Sequence, residues 1–400
     1  MGLGMRILQV HNLYLNRGGE ESVIASEGEL LRERGEEVHL LEFDNKSLFE
    51  SKLPFWKRFL YLFYNKEACT RFRLEVLSFR PDVIHFHNLA YYASPALIRE
   101  AQKLGIPSVC TLHNFRWICI KGLLFRGTKI CLRCVGYRFP FWGIFFGCFQ
   151  GSRVRSLVLQ MVIFFHQLFR TFTYPRSFIV FNSFIRDLFL KSLIGVPKER
   201  FRIKANFARD RVFSTPEERS SFFLFVGRLI DYKGIPELLR IFDRVSQPLH
   251  ILGTGPLEED IIRFAGSHGH IKYMGFQSEE EVSKQMRSCQ ALLFPSLCYE
   301  GFPRVIAEAF SFGTPVLAFE NDNLSTLVKD GYNGYLFSRE DISSFAEKIQ
   351  SWEATDPNHE PLYTHARKTY EDLCIPEKNY HQLIRIYKEA CTPSPIKDDS

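Results

Sequence analysis

The sequence lacks the long apolar run that a membrane-spanning helix needs. Its best candidate, residues 157–172, is interrupted by Gln160, His166, Gln167 and Arg170. A spanning helix needs about 20 predominantly apolar residues, so we interpret this stretch as buried or interfacial. The start of the chain also lacks a cationic stretch followed by a long apolar one, and we therefore expect no secretory signal peptide and a cytoplasmic location.

Acidic residues are scarce in one long part of the chain. Residues 45–205 contain 26 Lys and Arg but only 7 Asp and Glu, whereas residues 206–400 carry a net charge of −8. This excess of one sign predicts an anionic partner, either a membrane surface or nucleic acid; a solvated basic surface around a phosphate site is the alternative. Segments 55–66 and 137–150 interleave aromatic and basic residues, as interfacial helices on anionic bilayers do, although an ordinary packed helix has a similar composition.

Cysteine is not lacking, since the chain has ten. Without a secretory signal they indicate a reducing compartment, where thiols stay reduced or bind metal. Cys119, Cys131, Cys134 and Cys148 have the spacing C-x11-C-x2-C-x13-C. One C-x2-C pair with two flanking thiols is compatible with a structural zinc site, and a set of buried thiols is the alternative.

Strand-like and helix-like patterns alternate twice along the 400 residues, which are sufficient for two domains. Strands are predicted at 5–11, 37–43, 82–87, 108–113, 177–181, 222–226, 249–252, 271–274, 291–294 and 315–319. Such alternation predicts an α/β fold of two doubly wound, Rossmann-like domains. The boundary is placed between an N-terminal domain, 1–205, with an insertion at 115–155, and a C-terminal domain, 206–375; residues 203–214 resemble a linker.

Charged side chains follow two of the predicted strands in the second half. Glu300 lies in a strand-to-helix turn and Glu308 about two turns into the next helix, at about 3.6 residues per turn. Arg228 and Lys233 follow an earlier strand in the same kind of turn. Cations near a helix N-terminus favour phosphate, and carboxylates accept hydrogen bonds from hydroxyl groups. Together these residues predict a nucleotide-sugar site.

The order of the motifs resembles glycosyltransferase family four, from about residue 5 to about 350. The matching motifs are Gly18-Gly19-Glu20, Thr111-Leu112-His113-Asn114, Gly227-Arg228, Lys233-Gly234, Gly253-Thr254-Gly255-Pro256 and the pair Glu300 and Glu308. The resemblance implies the GT-B fold: two Rossmann-like domains that face each other across a cleft, with the last helix, about 376–391, crossing back to the N-terminal domain. It implies a retaining hexosyltransferase that moves sugar from a nucleotide-diphosphate sugar, with uridine or guanosine, to a glycan or lipid-linked acceptor in surface polysaccharide or glycolipid assembly.

The resemblance also implies roles for individual residues. His113, Glu300, Arg228 and Lys233 are expected to be catalytic, and Glu308 to bind the ribose. The other residues expected to contact the donor are Gly18, Gly19, Gly227, Gly253, Gly255, Gly275, Phe276, Gly301 and Phe302. No Asp-x-Asp motif follows a strand, and the cations already suit the diphosphate, so we expect no cofactor requirement for catalysis. The acceptor is expected on the N-terminal domain, and the enzyme at the inner face of the membrane.

The chain departs from the family pattern in two places. Residues 320–326, Glu-Asn-Asp-Asn-Leu-Ser-Thr, replace a commoner Gly-Gly-x-x-Glu, and Pro303 and Arg304 follow the Glu300 turn. Altered donor contacts are therefore predicted there. Two other hypotheses stay open: a sugar-nucleotide epimerase or phosphorylase on the same fold, and a non-enzymatic basic zinc protein that binds nucleic acid. The second leaves the C-terminal half unexplained, so we expect no nucleic-acid partner.

Overall fold

The chain forms two compact units. The computed structural model describes residues 4–14, 18–46, 55–193, 195–353, 356 and 359–392, with 55–58 described by backbone alone. One unit comprises Met1–Leu124, Leu132–Ala205 and Asn379–Ser400, and the other comprises Phe125–Cys131 and Asn206–Lys378. The short segment Phe125–Cys131 thus belongs to the second unit, although it lies within the N-terminal half of the sequence.

The first unit contains a six-stranded parallel sheet with the order β2-β1-β3-β4-β7-β8. Its strands are β1 (Arg6–Leu13), β2 (Glu37–Asp44), β3 (Val83–Phe86), β4 (Ser108–Thr111), β7 (Ser177–Val180) and β8 (Phe201–Ile203). Its helices are α1 (Gly19–Glu33), α2 (Phe55–Phe63), α3 (Lys66–Phe79), α4 (Ala96–Lys103), α5 (Trp142–Phe145), α6 (Arg153–Leu168), α7 (Ser183–Ser192) and α14 (Pro376–Cys391). Central strands β3, β4 and β7 are buried along their whole length, as parallel strands covered on both faces are.

The C-terminal helix α14 belongs to the core of the first unit. Its apolar face, with Leu383, Ile386 and Tyr387, packs on residues of β1, β3, β4 and β7. A buried ion pair lies beside it: Lys204 Nζ is 2.5 Å from Glu27 Oε1 and 3.2 Å from the amide oxygen of Asn379. Because a buried charge is tolerated only with partners, this pair fixes α1, the end of β8 and α14 in one arrangement.

The second unit repeats the architecture, with a parallel sheet of order β11-β10-β9-β12-β13-β14. Its strands are β9 (Phe223–Val226), β10 (Leu249–Leu252), β11 (Ile271–Gly275), β12 (Leu292–Phe294), β13 (Val316–Phe319) and β14 (Gly334–Phe337), with the hairpin β5 (Phe125–Arg126) and β6 (Lys129–Ile130) beside them. Its helices are α8 (Ile235–Phe242), α9 (Glu258–Ser267), α10 (Glu279–Ser288), α11 (Arg304–Ser311), α12 (Ile342–Gln350) and α13 (Glu360–Leu373). The predicted α/β class with two parallel sheets is confirmed. In the part of the chain that is described, no helix is long and apolar enough to cross a bilayer.

Candidate functional site

Three turns at the carboxyl ends of β9, β10 and β12 pack against one another in the second unit. Gly234 has φ +76°, and a Cβ there would lie 1.9 Å from the carbonyl oxygen of Pro295. Gly253 has φ +134°, and a Cβ would lie 1.9 Å from the carbonyl oxygen of Gly227. Only glycine fits such positions. The turns that carry Arg228, Lys233 and Glu300 are therefore in direct backbone contact, which fixes their spacing. Gly255 has the same reason to be glycine, because its Cβ would lie 2.5 Å from the carbonyl oxygen of Leu229.

Lys233 and Glu300 form an ion pair where two of these turns meet. Lys233 Nζ is 2.7 Å from Glu300 Oε1, and Ser296 Oγ donates to the same oxygen at 2.6 Å. Burial by itself would lower the pKa of Lys233, but the charge and hydrogen bond of Glu300 outweigh it and the pKa is raised. Lys233 is therefore protonated at neutral pH, and its ammonium group is held in place before any ligand arrives.

Glu308 lies on α11 as expected, but about one turn from the first residue of the helix, Arg304, where two turns were predicted. Its carboxylate is 3.3 Å from the guanidinium of Arg304, one turn earlier. Burial raises the pKa of Glu308, and the charge of Arg304 opposes that rise. Arg304, which departs from the family pattern, thus helps to keep Glu308 ionised as a hydrogen-bond acceptor.

Two predicted donor-binding side chains are exposed. The Arg228 guanidinium makes no side-chain hydrogen bond or ion pair with the residues that the structure describes. Phe276 follows Gly275 at the end of β11, and 82% of its surface is exposed, which is unusual for an aromatic side chain. A free cation and an exposed aromatic ring are suited to a phosphate and to a nucleobase respectively. Gly301 and Phe302 lie in the Glu300 turn, and Phe302 packs partly on the core.

The Glu300 turn is supported by the segment 320–326, a role that the sequence did not indicate. The side-chain amide of Asn323 donates to the carbonyl oxygen of Glu300. Tyr299 donates its hydroxyl to Asp322 Oδ2 at 3.1 Å. Residues that depart from the family pattern therefore bond the backbone carbonyl of Glu300 and the side chain of the residue before it.

In the first unit, histidines converge at the ends of β3 and β4. His87 Nδ1 is 3.0 Å from His113 Nε2, and the rings of His85 and His87 lie 4.0 Å apart. Burial lowers the pKa of His87 and of His113 well below the ordinary range, and neighbouring positive charge adds to the effect. Burial also lowers the pKa of His85 to about 4. These imidazoles are neutral at physiological pH, so His113 can donate or accept a hydrogen bond without carrying charge.

One group of possible metal ligands occurs among the described residues, formed by Glu27, His85 and His87. The set is only partly engaged, because Glu27 Oε2 and His87 Nε2 have no hydrogen-bond partner among the described residues. Glu27 binds Lys204, and the two ring nitrogens of His85 bond the hydroxyl groups of Tyr387 and Thr111 at 2.8 and 2.7 Å. The arrangement serves the packing of α14 on the sheet.

The predicted zinc site has no support in the described residues. In the stretch 115–155, which is described throughout, the ligand atoms of Cys119, Cys131, Cys134 and Cys148 form no cluster within metal-binding distance. Cys131 belongs to the second unit and the other three to the first. The spacing of the thiols gave no information on which unit each would join.

The donor contact expected of Gly18 and Gly19 stays a prediction, and the backbone of Gly18 already has a partner within the protein. The Gly18 N–H donates to Glu21 Oε2 at 2.7 Å, so the protein's own carboxylate occupies this donor. Glu20 lies deeper, where the amide of Asn114 donates to its Oε1 and to the hydroxyl of Tyr14, both at 2.8 Å. Burial raises the pKa of Glu20. In the sequence, Glu20 and Asn114 are members of two separate motifs. The hydrogen bond between them joins residues that are 94 positions apart, and a local pattern cannot show such a contact.

Comparison with known proteins matches both units. The family described as "Glycosyl transferases group 1" matches residues 206–369, and "Glycosyltransferase Family 4" matches residues 17–135. An uncharacterized glycosyltransferase of Methanocaldococcus jannaschii is 25% identical over 78% of this chain and 79% of its own length. The phosphatidyl-myo-inositol mannosyltransferase of Mycobacterium leprae is 30% identical over 42% of this chain and 46% of its own length. This second match therefore covers about half of that relative.

Solved structures show the same fold. Sucrose-phosphate synthase of Thermosynechococcus elongatus has a TM-score of 0.69 at 16% identity, with 96% of this chain and 98% of that one covered. Anabaena HepE, solved in complex with UDP-glucose, has a TM-score of 0.65 at 15% identity, with 96% and 100% covered. With both halves matched in order and the two-sheet architecture in place, the chain belongs to glycosyltransferase family four and has the GT-B fold.

Proposed function

We propose that the protein is a retaining hexosyltransferase that moves a sugar from a nucleotide-diphosphate sugar to a glycan or lipid-linked acceptor. The observation that carries the proposal is the 2.7 Å pair of Lys233 and Glu300, with the exposed Arg228 on the neighbouring turn. In this proposal Lys233 and Arg228 bind the diphosphate, Glu308 accepts from the ribose hydroxyl groups, and Glu300 accepts from the sugar. Phe276 stacks on the base.

The chemistry depends on charge that develops on the leaving diphosphate. Cations held in place before the reaction stabilise that charge without reorganising, which is usually the largest catalytic contribution. Glu300 already accepts hydrogen bonds from Lys233 and Ser296, so it serves as a positioned acceptor and is a poor candidate for a free nucleophile. The leaving phosphate would take the proton of the acceptor hydroxyl on the same face, which retains the anomeric configuration. Neutral His113 would hydrogen-bond the donor sugar.

The donor and the pathway are proposed from relatives. HepE was solved with UDP-glucose, and the relatives include an O-antigen chain mannosyltransferase of Escherichia coli and a lipopolysaccharide 1,6-galactosyltransferase of the same species. These names support a uridine- or guanosine-diphosphate hexose as donor and surface polysaccharide or glycolipid assembly as the setting.

The decisive experiment follows the label of a sugar nucleotide. A panel of UDP- and GDP-hexoses, each labelled in the sugar, is incubated with the enzyme and a lipid-linked glycan extract. We expect label in the glycan from one donor, with the anomeric configuration of the donor preserved by NMR. Conversion of the free donor to its epimer, without transfer, would favour the epimerase alternative. Release of hexose 1-phosphate in the presence of phosphate would favour the phosphorylase.

We also propose that the first unit binds the cytoplasmic face of an anionic membrane. Exposed apolar side chains and cations share one surface of α5 and α6; the exposed residues are Phe141, Phe145, Val154, Leu157, Met161 and Leu168. The guanidinium of Arg153 lies 5.7 Å from the Phe145 ring centre, which joins the two helices into one patch. This patch, the apolar-basic face, belongs to the region with a net charge of +19. Side chains 55–58 of the other predicted segment lie outside the described residues.

Flotation with vesicles tests the membrane proposal. We expect the protein to float with vesicles that contain phosphatidylglycerol and not with phosphatidylcholine alone, because binding combines apolar contact with attraction to anionic lipid. The double variant Leu157→Ser/Met161→Ser should bind less. Ile262→Ser, which changes an equally exposed residue of α9 in the second unit, is the matched control. Equal flotation of the double variant and the control would contradict the proposal.

A further inference from the structure

A cavity of about 940 Å³ lies in the second unit at the carboxyl ends of β12, β13 and β14. We call it the hairpin cavity, because Thr128–Ile130 of the β5–β6 hairpin form one wall and α8 forms another. Ligand pockets in proteins range from about 300 to about 1,000 Å³, so this cavity has room for more than a single small group. Ligands of open parallel α/β sheets bind beyond the carboxyl ends of the strands, which is where it lies.

Two unusual parts of the sequence meet at the hairpin cavity. The hairpin comes from the cysteine-bearing insertion, and the opposite wall contains Glu320, Asn321, Asp322 and Ser325 of the segment that departs from the family pattern. Arg339 joins the walls, since it donates to the carbonyl oxygen of Thr128 and to the carboxylate of α8 described next. The cavity thus lies where the insertion and the departing segment come together.

A buried acceptor without a donor faces this space. Glu237 lines the cavity and is only 7% exposed. Its Oε1 accepts from Arg339 at 3.1 Å, whereas its buried Oε2 has no hydrogen-bond partner among the described residues. Leaving a buried carboxylate oxygen unsatisfied is unfavourable. A hydroxyl group of a ligand in the cavity would supply the missing donor.

The lining indicates the class of ligand. The lining contains both charges and apolar surface; the cations are Lys129, Arg240 and Arg339, the acids are Glu237, Glu320, Asp322 and Glu340, and the apolar residues include Leu297 and Phe319. The acids of the lining would repel a polyanion, and its cations would repel a polycation. The many hydrogen-bond donors and acceptors of the lining are unsuited to an apolar ligand. Neighbouring donors and acceptors around a short apolar surface suit the hydroxyl groups and ring face of a neutral saccharide.

The cavity is connected to the candidate catalytic turn. Ser296 lines it and donates to Glu300 Oε1, and Asp322 lines it and accepts from Tyr299. We propose that the hairpin cavity binds a neutral saccharide unit of the acceptor glycan, with Glu237 and Arg240 hydrogen-bonding its hydroxyl groups. The proposal rests on the function proposed above, and it adds an acceptor subsite on the second unit to the one expected on the first.

Saturation-transfer NMR tests the proposal with defined probes: the methyl glycosides of mannose, galactose, glucose and rhamnose, each added to the full chain saturated with UDP. We expect transfer to at least one glycoside. Glu237→Gln and Arg240→Ala should weaken its binding at least fivefold, because one alters the unpaired oxygen and the other removes a donor. Arg263→Ala, an exposed cation on α9 outside the cavity, should leave it unchanged.

Each outcome decides the proposal. Absence of transfer to every glycoside, or equal transfer in the two cavity variants and the control, overturns it. Calorimetric titration of UDP and of GDP on the same proteins separates this failure from failure of the proposed function. If either nucleotide binds normally while no glycoside does, the acceptor subsite is wrong and the donor site stands. If neither nucleotide binds, the donor site itself is wrong. The fold of each variant is checked by its melting temperature.

Discussion

Replacing Lys233 by Met tests the centre of the proposed site. The substitution keeps most of the side-chain volume and removes the ammonium group that lies 2.7 Å from Glu300 Oε1. The two side chains are 23% and 18% exposed, so the pair is largely shielded from water. Loss of one preorganised donor to a developing oxyanion typically lowers the rate by roughly 10²–10³, or about 2.7–4 kcal/mol. We expect a loss of this size in kcat/KM for sugar transfer.

The same change should also destabilise the fold. Glu300 keeps its hydrogen bond from Ser296 but loses its countercharge. Leaving a partly buried charged group without its partner costs about 1–3 kcal/mol, and the expected melting temperature is lower. The double variant Lys233→Met/Glu300→Gln removes the orphaned charge. We therefore expect it to regain part of the stability and none of the activity.

The assay compares four proteins: wild type, the single variant, the double variant and Lys284→Met, a control on α10 whose side chain is 73% exposed. Transfer rate, UDP affinity and melting temperature are measured for each. If Lys233→Met transfers sugar within twofold of the control, the ammonium group does not act on the leaving diphosphate and the assignment is refuted. A rate loss that the double variant reverses would show that the ammonium matters only through its effect on Glu300.

Three shorter predictions follow from the fold. Gly234→Ala should destabilise the second unit strongly, because its Cβ would overlap the carbonyl oxygen of Pro295 at a left-handed φ, while Gly266→Ala on α9 has open space and should not; thermal melts of both check this. The fold should lose stability as pH falls from about 6.5 towards 4. The pKa of His85 is about 4 in the folded protein and about 6.5 in the unfolded chain, so the unfolded chain binds more protons between these pH values. Melting temperatures measured across this pH range check the direction of the change. Reduced protein should contain no stoichiometric zinc by elemental analysis, because the four thiols of the insertion do not cluster; one zinc per chain would contradict the structure.

The sequence predicted those features that depend on local periodicity. Alternation of apolar residues located ten of the twelve sheet strands, and helical spacing placed Glu308 on the helix after the Glu300 turn. Strand β8, Phe201–Ile203, was assigned partly to a linker because three residues carry too little pattern. Strand β14 is not predicted from the sequence because it begins at Gly334, and glycine in a sequence usually indicates a turn. In the structure, a Cβ at Gly334 would lie 2.0 Å from the carbonyl oxygen of Val316, so the contact with the neighbouring strand requires glycine.

Contacts between distant residues could not be predicted in the same way. Gly253 and Gly255 were interpreted as ligand-lining, whereas each also has a steric reason to be glycine, against Gly227 and Leu229. Spacing alone proposed a zinc site, but spacing does not say which unit each thiol joins. The rings of His85 and His87, two positions apart in the sequence, are in contact, and the bonds of His85 to α14 and β4 span up to 302 positions, which a local pattern cannot show.

The segment 320–326 shows how a departure from a family pattern acquires a physical meaning. Asn323 is buried and its side-chain amide donates to the carbonyl oxygen of Glu300, so it holds the turn from which the carboxylate projects. Asn323→Ala removes that donor and leaves the carbonyl unsupported, at an expected cost of about 1–3 kcal/mol. The carboxylate should then be less well positioned, with a tenfold or greater loss of transfer. Ser351→Ala, an exposed serine after α12 that does not line the hairpin cavity, is the control.

The pattern of kinetic change distinguishes positioning from general destabilisation. If Asn323 acts by orienting Glu300, its loss should affect sugar transfer more than the affinity for UDP, because UDP lacks the sugar that Glu300 would bind. A variant that only loosens the second unit should lower both together with the melting temperature. Unchanged transfer in Asn323→Ala at a temperature where the protein stays folded would mean that the Glu300 turn keeps its shape without this bond. The departure at 320–326 would then have no part in donor binding, and its place in the wall of the hairpin cavity would be its remaining role.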